Sequence, residues 1–177
     1  LGPDGAERDR FSVIESFRSS PYSSLLEPIV RSPYHSLHAN SIQVFDGSLA
    51  GASEVFRKGN ILISCRENNA VAIIDADSHQ VVWALAGPWL RQHSARLLDD
   101  GSMLLFDNRG RDPELGESYF GSSKIMQFDP LQQSISWTYE GTDQRPFSCP
   151  KMGVCQRLPN GNTLVTDSIS GRAFEVT

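Results

Sequence analysis

Three stretches of the chain, Gly59-Asn60-Ile61-Leu62-Ile63-Ser64, Gly101-Ser102-Met103-Leu104-Leu105-Phe106 and Gly161-Asn162-Thr163-Leu164-Val165-Thr166, spell one turn followed by one strand. Reading outward from them, each is preceded by a further short strand, at 41–45, 96–98 and 156–158. The first two are followed by a third and a fourth, at 71–75 and 81–85, then at 124–129 and 134–139. Asp75 and Asp129 end the third strands and Trp83 and Trp137 fall in the fourth, with both pairs separated by 54 residues. A single four-stranded sheet cannot cover both of its faces, so such units at a period of about 50 residues predict propeller blades stacked side by side. A β-sandwich also has turn signals at this density. The same motif recurring in the same order within each unit favours the propeller.

The fold class expected is therefore all-β, a partial β-propeller of about two and a half four-stranded blades. The blades run approximately 38–90, 91–145 and an incomplete 146–177, with loop insertions at 48–58, 109–122 and 142–150. Residues 1–37 differ, being rich in Ser, Pro and Arg. Phe11, Ile14 and Phe17 fall on a helical spacing that predicts a short amphipathic helix over 11–18, followed by an irregular lead-in carrying Pro21, Pro28 and Pro33. This segment wraps the body rather than forming it. The start at Leu1 and the finish inside the alternating run 172–177 read as an excerpt. An open arc of blades leaves two apolar faces bare, which predicts aggregation or pairing when the chain stands alone.

The chain has 177 residues and a formal net charge of −5. That is one domain's worth of polymer. Lys and Arg are scattered singly, leaving no basic face for a phosphate backbone, so nucleic acid is not an expected partner. No run approaches the ~18 apolar residues that cross a bilayer, and no secretory pattern opens the chain, which leaves its compartment unassigned. Cys65 reads as a buried thiol, whereas the spacing of Cys149 and Cys155 permits a short disulfide loop in an oxidising compartment. Without C-x-x-C or H-x-x-x-H spacing, neither a metal site nor a cofactor is implied.

In a propeller the first strand of each blade lines the central channel, so equivalent positions converge on one axis. Counting back from the strand-two glycines, and aligning the first blade by its apolar run, His38 matches His93 and the third blade offers Gly153. Seven residues after each glycine lies a second ring, Arg66, Asn108 and Ser168. Arg66 is a permanent cation ending an apolar strand and needs a carboxylate or an anionic ligand. Asp107 and Asp167, one position earlier, point to the other side and brace turns. Asn40 shares a strand face with His38. Taken singly, each of these residues has an ordinary structural reading; it is their joint placement that marks a site. His35 and His79 have no assigned role, and Trp83 and Trp137 belong to the core.

The run His38-Ala39-Asn40-Ser41, then 59–66, Trp83-Ala84-Leu85-Ala86-Gly87, Gln92-His93-Ser94-Ala95-Arg96 and Leu105-Phe106-Asp107-Asn108, closing with 156–168 and 171–176, resembles the arylsulfotransferase (aryl-sulfate sulfotransferase) family over roughly residues 36–177. The resemblance implies a six-bladed propeller in a periplasmic or secreted setting. It also implies transfer of a sulfuryl group from an aryl sulfate donor to a phenolic acceptor without a nucleotide. His93 would be the histidine that is transiently sulfated. His38, Asn40 and Arg66 would surround the transferred group, with Asn108 beside Asn40 as a substrate-binding residue. The commoner Gln-His-Asp or Gln-His-Thr context is Gln92-His93-Ser94 here, and a further histidine that some members supply from an earlier blade has no counterpart.

The chemistry suits these residues. An aryl sulfate is an anion whose sulfur is screened by three oxygens, so a neutral imidazole attacks it more readily than a carboxylate does. Arg66 would fork two sulfuryl oxygens, Asn40 would donate to a third, and protonated His38 would pass its proton to the departing phenolate. A non-catalytic propeller that binds an anionic or carbohydrate ligand in the same channel is the alternative, and a structural scaffold is a third reading.

Overall fold

The computed structural model describes residues 4–31, 36–109 and 122–177. Eleven strands are present among them: β1 Ala39–Val44, β2 Ile61–Cys65, β3 Ala70–Ile74, β4 Val81–Ala86, β5 His93–Leu97, β6 Met103–Asp107, β7 Lys124–Asp129, β8 Ser134–Glu140, β9 Val154–Arg157, β10 Thr163–Asp167 and β11 Arg172–Val176. They form three antiparallel meanders, β1-β2-β3-β4, β5-β6-β7-β8 and β9-β10-β11. Gly59, Gly101 and Gly161 share a φ near +90°, with values of 91°, 84° and 87°, a conformation only glycine adopts without strain. The amide of each donates at 2.9 Å to the carbonyl of the residue just after the first strand: Phe45, Leu98 or Leu158. The first of these closures holds although the loop 46–58 intervenes.

The three sheets stack face to face, and β6 shows why this is a propeller arc and not a sandwich. Its residues are buried on both sides: Met103 and Leu105 pack with Leu62, Ile73 and Trp83 of the first sheet, while Leu104 and Phe106 pack with Cys155 and Val165 of the third. A central sheet that buries both faces reads as a continuous apolar run, which is how 103–106 is written.

The N-terminal segment covers the outer face of the first sheet. Phe17, Ile29 and Leu37 pack against Ile63, Cys65, Ala72 and Ile74, and complete burial of Phe17 contributes roughly 2–3 kcal/mol. One of the two faces expected to be bare is therefore covered by the chain itself. Helix α1 spans Val13–Arg18, starting two residues later than the periodicity predicts because Ser12 stays extended and caps it, its Oγ accepting from Glu15 N. The lead-in is not irregular throughout: a 3-10 turn at Ser23–Leu26 runs into α2, Glu27–Arg31. Pro28 is tolerated there because it sits in the first turn, where an amide hydrogen has no helical partner. His79, without an assigned role in the sequence reading, accepts the arm before α1: Phe11 stacks on it at 4.4 Å, and its Nε2 lies 2.9 Å from Asp9 Oδ2. His35 and Pro33 lie outside the described residues.

Asp107 and Asp167 brace turns as their placement suggests, accepting from Leu90 N and Arg109 Nε, and from Ser170 N and Arg172 Nε. The disulfide permitted by Cys149 and Cys155 is not formed; all three cysteines are free and buried. Burial pushes the Cys65 and Cys155 thiols up to about 12, so they stay protonated. Trp83 lies in the core, whereas Trp137 is half-buried with the Arg157 guanidinium 5.3 Å above its ring.

Candidate functional site

Strand pairing fixes which channel residues are equivalent. Val44, Leu97 and Arg157 each lie opposite the second residue after the turn glycine, namely Ile61, Met103 and Thr163. Opposite the fifth residue after each glycine, Ser64, Phe106 and Thr166, stand Ser41, His93 and Val154. Beyond the bulges Leu37 O accepts from Glu67 N and Leu90 O from Arg109 N, so His38 aligns with Arg91 and not with His93, and the two share a left-handed backbone at φ 50° and 57°. The alignment through the apolar run errs by two residues because the loop 46–58 displaces β1 from its glycine. The rings of His38 and His93 nevertheless meet, with centroids 6.4 Å apart and planes at 78°.

Side chains of β1 hold the two sheets in this relation. Asn40 Nδ2 donates to Gln92 O at 2.7 Å, Ser41 Oγ accepts from Ala95 N at 3.1 Å, and Gln43 both accepts from Leu97 N and donates to Leu97 O. First strands of neighbouring sheets diverge too far to share a backbone ladder, and these amides and hydroxyls bridge the gap. Gln92 is fully buried, with Nε2 reaching Ser64 Oγ at 3.1 Å, Cys65 O at 3.1 Å and Ala70 O at 2.8 Å. The residue before His93 is thereby bolted to the first sheet.

His93 starts β5 at a register shift and is followed by Ser94 at φ 57°. Its Nδ1 lies 2.7 Å from Asn108 Oδ1 and 3.1 Å from Arg91 O. Burial holds its imidazole below the ordinary histidine range, and the charges of Arg66 and His38 act in the same direction; the contacts to Asn108 and Arg91 partly offset this. Asn108 is 1% exposed, and its Nδ2 donates at 2.7 Å to both Cys149 O and Met152 O.

Arg66 is buried, and its Nη1 pairs with Glu67 Oε1. The cation at the end of the apolar strand therefore has a carboxylate partner, and that carboxylate also lies 4.0 Å from His38 Nδ1. His38 is the exposed member, its side chain 52% accessible. An open cleft of about 460 Å³ adjoins His93, lined also by Asn40, Ser41, Met152, Gly153 and Ser168 among others. Gly153 (φ 89°) keeps the third sheet close, since a Cβ there would come within 2.6 Å of the Phe106 ring.

Among these residues the His38 and His93 rings meet, Asn108 contacts His93, Asn40 lines the same cleft as His93, and Arg66 is linked to His38 through Glu67. Asn108 meets His93 rather than open space, and Asn40 has one amide hydrogen committed to the Gln92 carbonyl and an Oδ1 buried without a partner. Glu67, Gln92 and Asn69, whose Oδ1 accepts from Arg91 N at 2.7 Å, are the residues that sequence reasoning missed. The carboxylate next to Arg66 and the glutamine next to His93 were the available signals. Among the described residues no cluster of His, Cys, Asp and Glu could hold a metal ion, and no helix is long and apolar enough to cross a membrane.

The arylsulfotransferase (ASST) family model matches residues 8–177. No curated protein matches the chain. Among solved structures, the crystal structure of the WD40 beta propeller domain of Doa1 is similar at 15% identity and a TM-score of 0.47, over 78% of this chain and 40% of that one. The chain spans less than half the length of that structure.

Proposed function

The chain belongs to the arylsulfotransferase (ASST) family, and we propose that it takes part in transferring a sulfuryl group from an aryl sulfate donor to a phenolic acceptor, with His93 as the covalent nucleophile. The observation that carries this reading is the meeting of the His38 and His93 rings at 6.4 Å, with an open cleft along His93 and Asn40 and with Glu67, the partner of the buried Arg66, 4.0 Å from His38. In the first half-reaction an imidazole nitrogen of His93 bonds to sulfur, the sulfur–phenolate bond breaks, and the leaving oxygen takes a proton from protonated His38. In the second, His38 accepts the proton of the incoming phenol, whose oxygen bonds to sulfur as the nitrogen–sulfur bond breaks. Arg66, with one arm on Glu67, turns the rest of its fork to the sulfuryl oxygens and offsets their charge in the transition state. A depressed imidazole basicity suits this role, because the attacking lone pair is present throughout the neutral range.

Incubation with 4-nitrophenyl sulfate followed by mass spectrometry of peptides tests it. Sulfuryl mass on the peptide bearing His93, with its loss in His93→Asn, is the expected result. Binding of the sulfate ester without phenol-dependent transfer would instead assign the channel to a non-catalytic, anion-binding propeller.

A further inference from the structure

We propose that Asn108 is a positioning residue that fixes the tautomer of His93, placing the hydrogen on Nδ1 and the nucleophilic lone pair on Nε2; the nucleophilic part of this rests on the reading of His93 given above. The amide of Asn108 cannot be turned round. Its Nδ2 stands 2.7 Å from two backbone carbonyls, Cys149 O and Met152 O, and carbonyls only accept, so both amide hydrogens are committed there. The atom presented to His93 is therefore Oδ1, which also only accepts. Arg91 O, 3.1 Å from the same ring nitrogen, is a second acceptor. A ring nitrogen facing two acceptors carries the hydrogen, and in a neutral imidazole the other nitrogen then has the lone pair.

The clamp is braced behind. Ser123 Oγ donates to Asn108 O at 2.9 Å and accepts from Cys149 N at 2.8 Å, so the asparagine and the segment that grips it are tied to one hydroxyl. Ring orientation at the first strand of the second sheet is thus set by carbonyls at 149 and 152, immediately before β9. Chemically, the Nδ1 hydrogen stays in place through a full cycle. When Nε2 bonds to sulfur the ring becomes a cation, and the two oxygens on Nδ1–H stabilise that charge. When the nitrogen–sulfur bond breaks, the electron pair returns to Nε2 and the starting tautomer is restored. An imidazole with its hydrogen on Nε2 would carry its lone pair on Nδ1, turned toward the two acceptor oxygens and not toward sulfur.

Long-range 1H–15N correlation spectra of the protein labelled with 15N-histidine read the tautomer directly, with His93 assigned by difference from His93→Asn. At a pH where His93 is neutral, a protonated Nδ1 and an unprotonated Nε2 are expected; a protonated Nε2 in the unsubstituted protein overturns the proposal, and that measurement needs no Asn108 variant to fold. In Asn108→Ala the nitrogens should move toward a tautomer mixture, and kcat should fall about tenfold or more with the KM for donor little changed. An unchanged tautomer together with an unchanged kcat in that variant would also overturn it. Nδ1–H observed in a protein that never carries sulfuryl on His93 would support the positioning by Asn108 and remove the transferase reading instead.

Discussion

His93 and His38 sit ring to ring, yet the molecule treats them oppositely. His93 is half-buried, its ring held at Nδ1 by Asn108 and its backbone held through Gln92 to the first sheet. His38 is half exposed just before β1, and the Glu67 carboxylate lies 4.0 Å from its ring. The backbone at both places is strained into the left-handed region, at Ser94 in one case and at His38 itself in the other, but only the first has a shell of buried amides around it. Rigidity suits a group that must form a bond in one geometry; exposure and freedom suit a group that exchanges protons with solvent and substrate.

The comparison breaks most readily at Gln92. Replacing it with Leu removes the amide hydrogens that Ser64 Oγ and the carbonyls of Cys65 and Ala70 accept across the two sheets, a loss of about 1–3 kcal/mol by thermal or urea unfolding. The same variant should lose most of its transfer rate because the seat of His93 loosens. Retention of both stability and rate would mean that the bolt between the sheets does not position the histidine.

His38→Asn is the sharper probe. Its rate should fall about a hundredfold with donors whose phenol is a poor leaving group and hardly at all with 4-nitrophenyl sulfate, since an acidic phenol departs without a proton. Equal losses for both donors would deny His38 the role of proton carrier.

The smallest effect concerns acid. The folded-state basicity of His93 is depressed, so in the window just below the ordinary histidine value of about 6.5 the unfolded chain binds a proton that the folded one does not. Stability contributed by the neutral imidazole is complete above that value and declines as pH falls through the window. His93→Asn should flatten this limb of the stability profile, read by urea midpoints across pH 5–7. An unaltered limb would show that burial of His93 has no thermodynamic weight.

How much of this was legible differs from region to region. The strands were, because alternation and a glycine that must take positive φ are local properties of the chain; β2, β6 and β10 begin two residues after Gly59, Gly101 and Gly161. The residue-by-residue alignment of the channel was not. With the loop 46–58 between β1 and its glycine, and a bulge between Ala39 and Ser41, a count along the chain puts His38 opposite the wrong partner. Asn108 read as a ligand-facing residue because its ring position is shared with Arg66, and nothing near it in sequence reveals the carbonyls of 149 and 152. Glu67 went unremarked because adjacent charges in a sequence usually point to opposite sides of a strand, and here the chain leaves β2 for a turn at that point.

What the sequence determined unaided is the succession of strands and the family they spell, since turn chemistry and period-two patterning act over a few residues. Which imidazole nitrogen is free, which histidine is shielded and which face the N-terminal helices cover were decided by tertiary contacts. Those contacts join groups 15 to 52 positions apart, such as His93 with Asn108 and Asn40 with Gln92, and hydrogen-bond direction between such groups depends on packing that no local pattern encodes.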